Sequence, residues 1–294
     1  MAWLDWLISG LGVLVVAVAL RDIFHTLWHP SGRGSLSTQV MRVVWWAGRR
    51  RRDRSSGLTG PGGLGLVILL WVVLLIAGGA LVYVPHLPEA FSFSSGLDVS
   101  GRSRVLDAVY LSTVTLATLG FGDIVPVEGW LRIAVPVQAL VGFGLLTASV
   151  TWVLQIYPAL VRRRALAVRL ALLRSVTPED LLHDPGSTLA ASLLESLAGS
   201  LVQARVDLTQ YAETYYFRDG NEEAALPAMI GVATVLAESG RSAPRPDVRV
   251  AAVLLGTSVD DFARVLDDQF LHTGGGRDEI LAAYTRAHRR TAQD

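Results

Sequence analysis

Residues 115–126 read TLATLGFGDIVP. Two glycines stand two apart around Phe121, with Thr118 before them and Asp123 behind. That spacing suits a main-chain ribbon whose carbonyls all point one way. Such a ribbon needs residues that alternate between left- and right-handed backbone, and glycine enters positive φ without a Cβ penalty. Gly120 and Gly122 supply those positions. The carbonyls of Thr118, Leu119, Gly120 and Phe121 then face one line, and the Thr118 hydroxyl adds an oxygen at the inner end. The side chains of Leu119 and Phe121 turn away and pack behind. Oxygens so arranged replace the water shell of a monovalent cation.

Such a ribbon must be held at membrane depth. Residues 103–118, SRVLDAVYLSTVTLAT, predict a helix of about ten to fourteen residues. Ser103 caps it and Asp107 sits in its first turn. It is too short to cross a bilayer and runs into an irregular turn, so it reads as a re-entrant half-helix. Irregular backbone survives at that depth only where it lines water or is buried in protein. The half-helix lies between two apolar runs, Leu64–Val84 and Trp130 to about Tyr157. The first reaches roughly 30 Å as a helix, the thickness of a bilayer core. Trp130, Trp152 and Tyr157 suit the two membrane interfaces. A further run from Trp3 to Leu20, continuing as helix to Trp28, either spans or lies in the interface. One copy of the motif supplies one wall of a pore, so closure requires four chains about an axis.

Arginine placement orients the chain. Residues 30–60 hold Arg33, Arg42, Arg49, Arg50, Arg51, Arg52 and Arg54, and Arg162, Arg163 and Arg164 follow the last apolar run. The segment around Gly120 has only Arg102, Arg104 and, at its border, Arg132. The positive-inside rule then puts residues 30–60 and the C-terminal region in the cytoplasm, with the N-terminus and the Gly120 loop outside a plasma membrane. Residues 38–52, TQVMRVVWWAGRRRR, read either as an amphipathic helix on anionic inner-leaflet lipid, with Trp45 and Trp46 among headgroups, or as a stop-transfer charge cluster.

Composition narrows the chemistry. The 294 residues are 51% hydrophobic with zero formal charge, and the apolar residues concentrate before residue 160. There is no cysteine, and all 26 basic residues are arginine. Disulfides, thiolate metal sites, the P-loop phosphate lysine and Schiff bases are excluded. No G-x-S-x-G or H-E-x-x-H occurs, so no catalytic residue is assigned and no enzyme is expected. No organic cofactor and no nucleic-acid partner is implied. The N-terminus has no basic start and no small-residue cleavage site, and is expected to be retained.

At this point the residues resemble a known family. TLATLGFGD is similar to the potassium-channel signature T-x-G-[YF]-G-D, and the order helix, re-entrant helix, filter, helix is similar too. GFGLLTASVTWVL, 142–154, resembles the inner helix of bacterial potassium channels. The resemblance covers residues 64–157 and implies a homotetrameric two-helix pore with an extra N-terminal helix. It implies potassium at Thr118, Leu119, Gly120 and Phe121, with Gly122 completing the filter. It implies Asp123 behind the filter mouth, bonded to an aromatic that Tyr110 matches, and a gating glycine at Gly142. Ala117, Phe121 and Val114 depart from the pattern by removing polar tethers, so a filter more easily distorted is expected.

The fold expected is therefore an all-α membrane protein: a tetrameric re-entrant-loop pore plus a soluble helical cytoplasmic domain. Its parts are 1–63, N-terminal helix and basic segment; 64–160, pore; and 161–294, cytoplasmic helices. The alternatives to a potassium channel are a weakly selective cation channel and a non-conducting scaffold or sensor acting through its C-terminal domain. Thr147, Val150 and Leu154 are candidates for an apolar inner gate, with Pro136 kinking the same helix and Gly142 and Gly144 softening it. Asp22, His25 and His29 read as polar residues at a helix end, as a proton sensor or as a metal site. Asp260, Asp261, Asp267 and Asp268 with Arg264 read as a solvated face. Leu189, Leu193, Leu197 and Leu201 predict a bundle stripe, and TYYFRD at 214–219 predicts core. Thr177-Pro178 and Thr257-Ser258 are expected helix starts among five to seven short helices. No strand precedes a G-x-G-x-x-G, no β-roll is seen, and no motif in 161–294 identifies a ligand or partner.

Overall fold

A computed structural model describes residues 2–28, 34–50, 59–94, 103–175 and 178–289. Ten α-helices appear among them: α1 Ala2–Leu27, α2 Ser35–Arg50, α3 Thr59–Tyr83, α4 Arg104–Leu116, α5 Leu131–Ser175, α6 Pro178–His183, α7 Ala190–Gln210, α8 Leu226–Arg241, α9 Pro246–Leu266 and α10 Arg277–His288. The fold is all-α but for two three-residue strands, β1 Phe91–Phe93 and β2 Ile124–Pro126, paired antiparallel. Three helices are long and apolar enough to cross a membrane: Trp3–Leu27, Thr59–His86 and Leu131–Ser175.

Contacts divide the chain into two units, Met1–Val40 with Gly63–Leu154, and Met41–Gly62 with Gln155–Asp294. This differs from the three parts read in the sequence, because α1 packs against α3 within the first unit. A Cβ on Gly12 would lie 2.6 Å from the Gly78 carbonyl, and one on Gly78 would lie 2.9 Å from the Gly12 carbonyl. Paired glycines let apolar helices approach where no hydrophobic drive separates lipid from protein. Asp22 ties the other end. Its carboxylate accepts from Leu36 N at 2.8 Å, Ser37 N at 3.1 Å and Trp71 Nε1 at 2.9 Å. It thus caps α2 and bonds α3, a structural use of this residue. His25 stacks edge-on to Phe24, and His29 lies outside the described residues. Among the described residues no cluster suited to a metal ion occurs.

Trp152 is buried at 3% exposure against Trp71, with ring centroids 5.6 Å apart. The helix carrying it does not stop near Tyr157 but continues to Ser175, unbroken through Pro136, Gly142, Gly144 and Pro158.

In the second unit the 214–219 run is core. Tyr215 stacks on Phe270 at 4.2 Å, and Tyr215, Tyr216 and His288 surround Trp45. Trp45 is therefore buried in protein rather than set among lipid headgroups, with the Arg218 guanidinium 4.4 Å above its ring. Trp46 is exposed. The arginines after the last apolar run also serve the fold. Arg162 donates two bonds to Asp207, while Arg163 and Arg164 share Asp219. The α7 stripe shifts from the expected one: Leu189 is exposed, and Leu194, Leu197, Leu201 and Leu208 face the core. Thr257 and Ser258 do not start a helix. Their hydroxyls bond back to Val253 O and Leu254 O inside α9, which begins at Pro246 with Asp247 in its first turn. Asp260 and Asp261 pair with Arg277, Arg205 and Arg264 at the surface, and Asp267 accepts from Thr273 and Gly274.

His288 gives this unit a pH response. Its Nε2 lies 2.8 Å from Tyr215 O and its Nδ1 3.1 Å from Tyr284 O. The neutral ring has one N–H, and the shorter contact places it on Nε2. Burial, with Arg163 and Arg218 nearby, pulls the pKa from 6.5 down to about 4. The unfolded chain takes up this proton near its ordinary value and the folded chain only near 4. The stability tied to the neutral ring is thus complete above pH 6.5 and lost as pH falls from 6.5 to 4. It amounts to about 3 kcal/mol. Denaturant melts of the full chain at pH 7 and pH 4 should show that loss, and His288→Gln should lack that part of it. An equal acid response in the two proteins would refute the assignment.

Candidate functional site

α4 is 13 residues long, with Ser103 as its N-cap accepting from Leu106 N and Asp107 in its first turn. Its C-terminal end leads into the 117–123 turn. Ala117 N donates to Thr113 O, Thr118 N to Thr115 O and Leu119 N to Val114 O, each at 2.9 Å. Positive φ then recurs at every second residue: Thr118 at 58°, Gly120 at 54° and Gly122 at 76°. The two glycines have nothing within 4 Å of where a Cβ would stand, so backbone conformation and not space requires them. Thr118 was missed as a positive-φ position. No local signal announces it, because a β-branched residue is an outlier there. The hydrogen bond from its amide to Thr115 O helps to hold it.

The turn is open on one side. Ala117, Thr118, Leu119, Gly120, Phe121 and Gly122 are all exposed, Leu119 at 58% and Phe121 at 66%. Within one chain, then, Leu119 and Phe121 do not pack behind the ribbon. The exit is fixed instead by β-pairing. β2 binds β1 in the register Phe91↔Pro126, Ser92↔Val125 and Phe93↔Ile124, and Ser94 N donates to Asp123 O at 2.9 Å. Tyr110 Oη donates to Asp123 Oδ2 at 2.6 Å. Val114, 7% exposed, offers no second polar tether.

Behind α4 lies a buried polar chain that the sequence reading missed. Ser112 Oγ donates to Ile76 O at 2.8 Å and accepts from Gln138 Nε2 at 2.8 Å, while Tyr83 Oη donates to Gln138 Oε1 at 2.5 Å. A Cβ on Gly79 would meet both Gln138 Nε2 and Ser112 Oγ, so Gly79 makes room for the network. The signal available was Gln138 itself, the one side-chain amide in residues 131–154.

Gly142 is buried, and a Cβ there would lie 1.8 Å from the Leu116 carbonyl oxygen. Its missing side chain lets α5 pack on the end of α4, immediately before the turn, and the helix is unbroken through it. Farther along, Val150 and Leu154 are exposed at 53% and 66%, and the Thr147 hydroxyl bonds back to Phe143 O.

The comparisons with known proteins fall on the same stretch. Residues 69–157 match a family model described as "Ion channel". An uncharacterized membrane protein of Bacillus subtilis (strain 168), YdjJ, is 26% identical over 166 residues, 55% of this chain and 47% of that protein. Two-pore potassium channel 5 of Arabidopsis thaliana is 39% identical over 89 residues, 28% of this chain and 21% of that one. The chain thus spans about half the length of the first relative and about a fifth of the second. No solved structure matches. Three helices long and apolar enough to cross a membrane among the described residues place the protein in a membrane, and residues 69–157, which hold the 117–123 turn between the second and third of those helices, are similar to an ion-channel domain.

Proposed function

We propose that the protein is a potassium-selective channel in which four copies close around an axis and the 118–121 carbonyls strip water from K⁺. The observation that carries this reading is the alternation of positive φ at Thr118, Gly120 and Gly122, beyond the end of a half-helix, on a face left open within one chain. Alternate handedness turns successive carbonyls to the same side, and one chain supplies one quarter of a ring. The carboxyl end of α4 adds its negative dipole beneath. The name of the Arabidopsis relative, a potassium channel, supports the choice of ion. Arginine-rich flanks favour a cytoplasmic C-terminus and an outward-facing filter mouth. Val150 and Leu154, exposed and apolar, suit a gate that closes by excluding water.

Purified protein in liposomes tests the reading. A K⁺ gradient should drive flux, and bi-ionic reversal potentials should favour K⁺ over Na⁺. Flux with equal permeabilities would leave a general cation channel, and no flux would leave a scaffold. The polar tethers set how firmly the filter holds. The Tyr110–Asp123 bond, to a charged acceptor, contributes about 1.5–3 kcal/mol. Tyr110→Phe should therefore lower the K⁺/Na⁺ permeability ratio and speed current decay by about tenfold or more. Phe121→Tyr restores a hydroxyl and should act in the opposite direction. Unchanged ratio and decay in both variants would rule out the tether account.

A further inference from the structure

α5 is 45 residues long, well beyond what a bilayer needs. Its second half, within the second unit, has one face buried against its own chain: Arg163, Leu166, Ala167 and Leu170. The opposite face is Pro158, Val161, Ala165, Val168 and Leu172, and every one of these is exposed, Val161 at 60% and Leu172 at 63%. The steps between them are three, four, three and four residues, which is the seam of a coiled coil rather than the broader stripe of a helix lying on a globular core. Read back along the same helix, that spacing reaches Leu154, Thr151, Thr147, Gly144 and Leu140, all exposed as well.

We propose that Pro158, Val161, Ala165, Val168 and Leu172 pack on the same face of other copies of this chain, as a parallel seam of four α5 helices. The proposal rests on the four-chain reading above. Two observations name a second copy as the occupant. The face continues, in register, to Leu154, which the four-chain reading turns toward the axis, so a parallel copy is delivered to it by the proposed pore. Covalent continuity then makes the contact effectively intramolecular, at a local concentration in the millimolar range. Charge is the second. The seam carries none, and the arginines beside it are engaged within their own chain: Arg162 with Asp207, Arg163 and Arg164 with Asp219, Arg169 with Ser196. Four parallel helices would otherwise bring twelve guanidiniums from positions 162–164 together; those twelve are matched by eight carboxylates held at hydrogen-bond distance. A strict 3.5-residue period also imposes a left-handed supercoil.

The chain has no cysteine, so single substitutions report cleanly. Val161→Cys, Val168→Cys and Leu172→Cys, each in the full-length protein in liposomes, should give a disulfide-linked dimer on mild oxidation. The yield should exceed by fivefold or more that of Val250→Cys, an exposed α9 position off the seam. All four sites are exposed in the single chain, so the folded protein tolerates them. Native mass and K⁺ flux are read on the same samples. Four-copy mass and flux with seam crosslinking no greater than at Val250 would overturn the seam and leave the pore reading standing. A mass other than four copies would remove the pore reading and the four-helix seam with it.

Discussion

Gly122→Ala is expected to abolish the proposed ion flux, and Gly120→Ala to reduce it by about 100-fold or more, in protein that still assembles. The conformation explains the expected size. Gly120 sits at φ 54°, where an L-residue is disfavoured by about 1–2 kcal/mol, and Gly122 at 76°, beyond the narrow left-handed window. In the proposed four-copy ring the strain sums to about 4–8 kcal/mol at Gly120, against the 1.4 kcal/mol that a factor of ten requires. Relief comes by turning a peptide unit, which swings a carbonyl off the axis. Steric exclusion is not the cause, because neither Cβ would meet an atom within 4 Å in its own chain. Native mass should therefore stay unchanged while flux from liposomes disappears. Near-normal flux in Gly122→Ala would show that the backbone does not need its left-handed positions.

The second large effect separates two roles for Gly142. A hinge glycine can be replaced by alanine with altered gating and little change in assembly. The packing here predicts the reverse. The added methyl would stand 1.8 Å from the Leu116 oxygen and 2.8 Å from its carbonyl carbon, backbone atoms that cannot swing aside. Either α5 or the end of α4 must move, at a cost of about 1–3 kcal/mol or more. Gly142→Ala should lose thermal stability by several degrees and disturb the 118–122 turn, because Leu116 precedes Thr118 by two residues. Gly65→Ala, on an exposed α3 position with open space around it, is the control and should hold or gain about 0.5–1 kcal/mol. Equal melting of both variants and wild type, with only gating changed in Gly142→Ala, would restore the hinge.

What the sequence disclosed and what it hid follow from distance along the chain. The α4 half-helix was legible because its cap, its first-turn acid and its glycines lie within about twenty residues of each other. The membrane helices were legible from uncharged length alone. The Ser112–Gln138–Tyr83 network was not, because its members are 26 and 55 residues apart and none has a local pattern. Gly12 and Gly78 likewise look like ordinary glycines until α1 and α3 are laid together. Asp22 and Trp45 were misread for one reason: each resembled a membrane-surface residue while its partners lay far ahead in sequence, at Leu36, Ser37 and Trp71, and at Tyr215 and His288. Thr257 and Ser258 had the composition of a helix start, but Pro246 with Asp247 had it earlier.

A cryo-electron microscopy map of the full-length protein in potassium tests the central claim most directly. Four chains around one axis, with a file of ion densities bordered by the carbonyls of Thr118, Leu119, Gly120 and Phe121, is the predicted result. One or two chains, or carbonyls turned from the axis with no density between them, would contradict it.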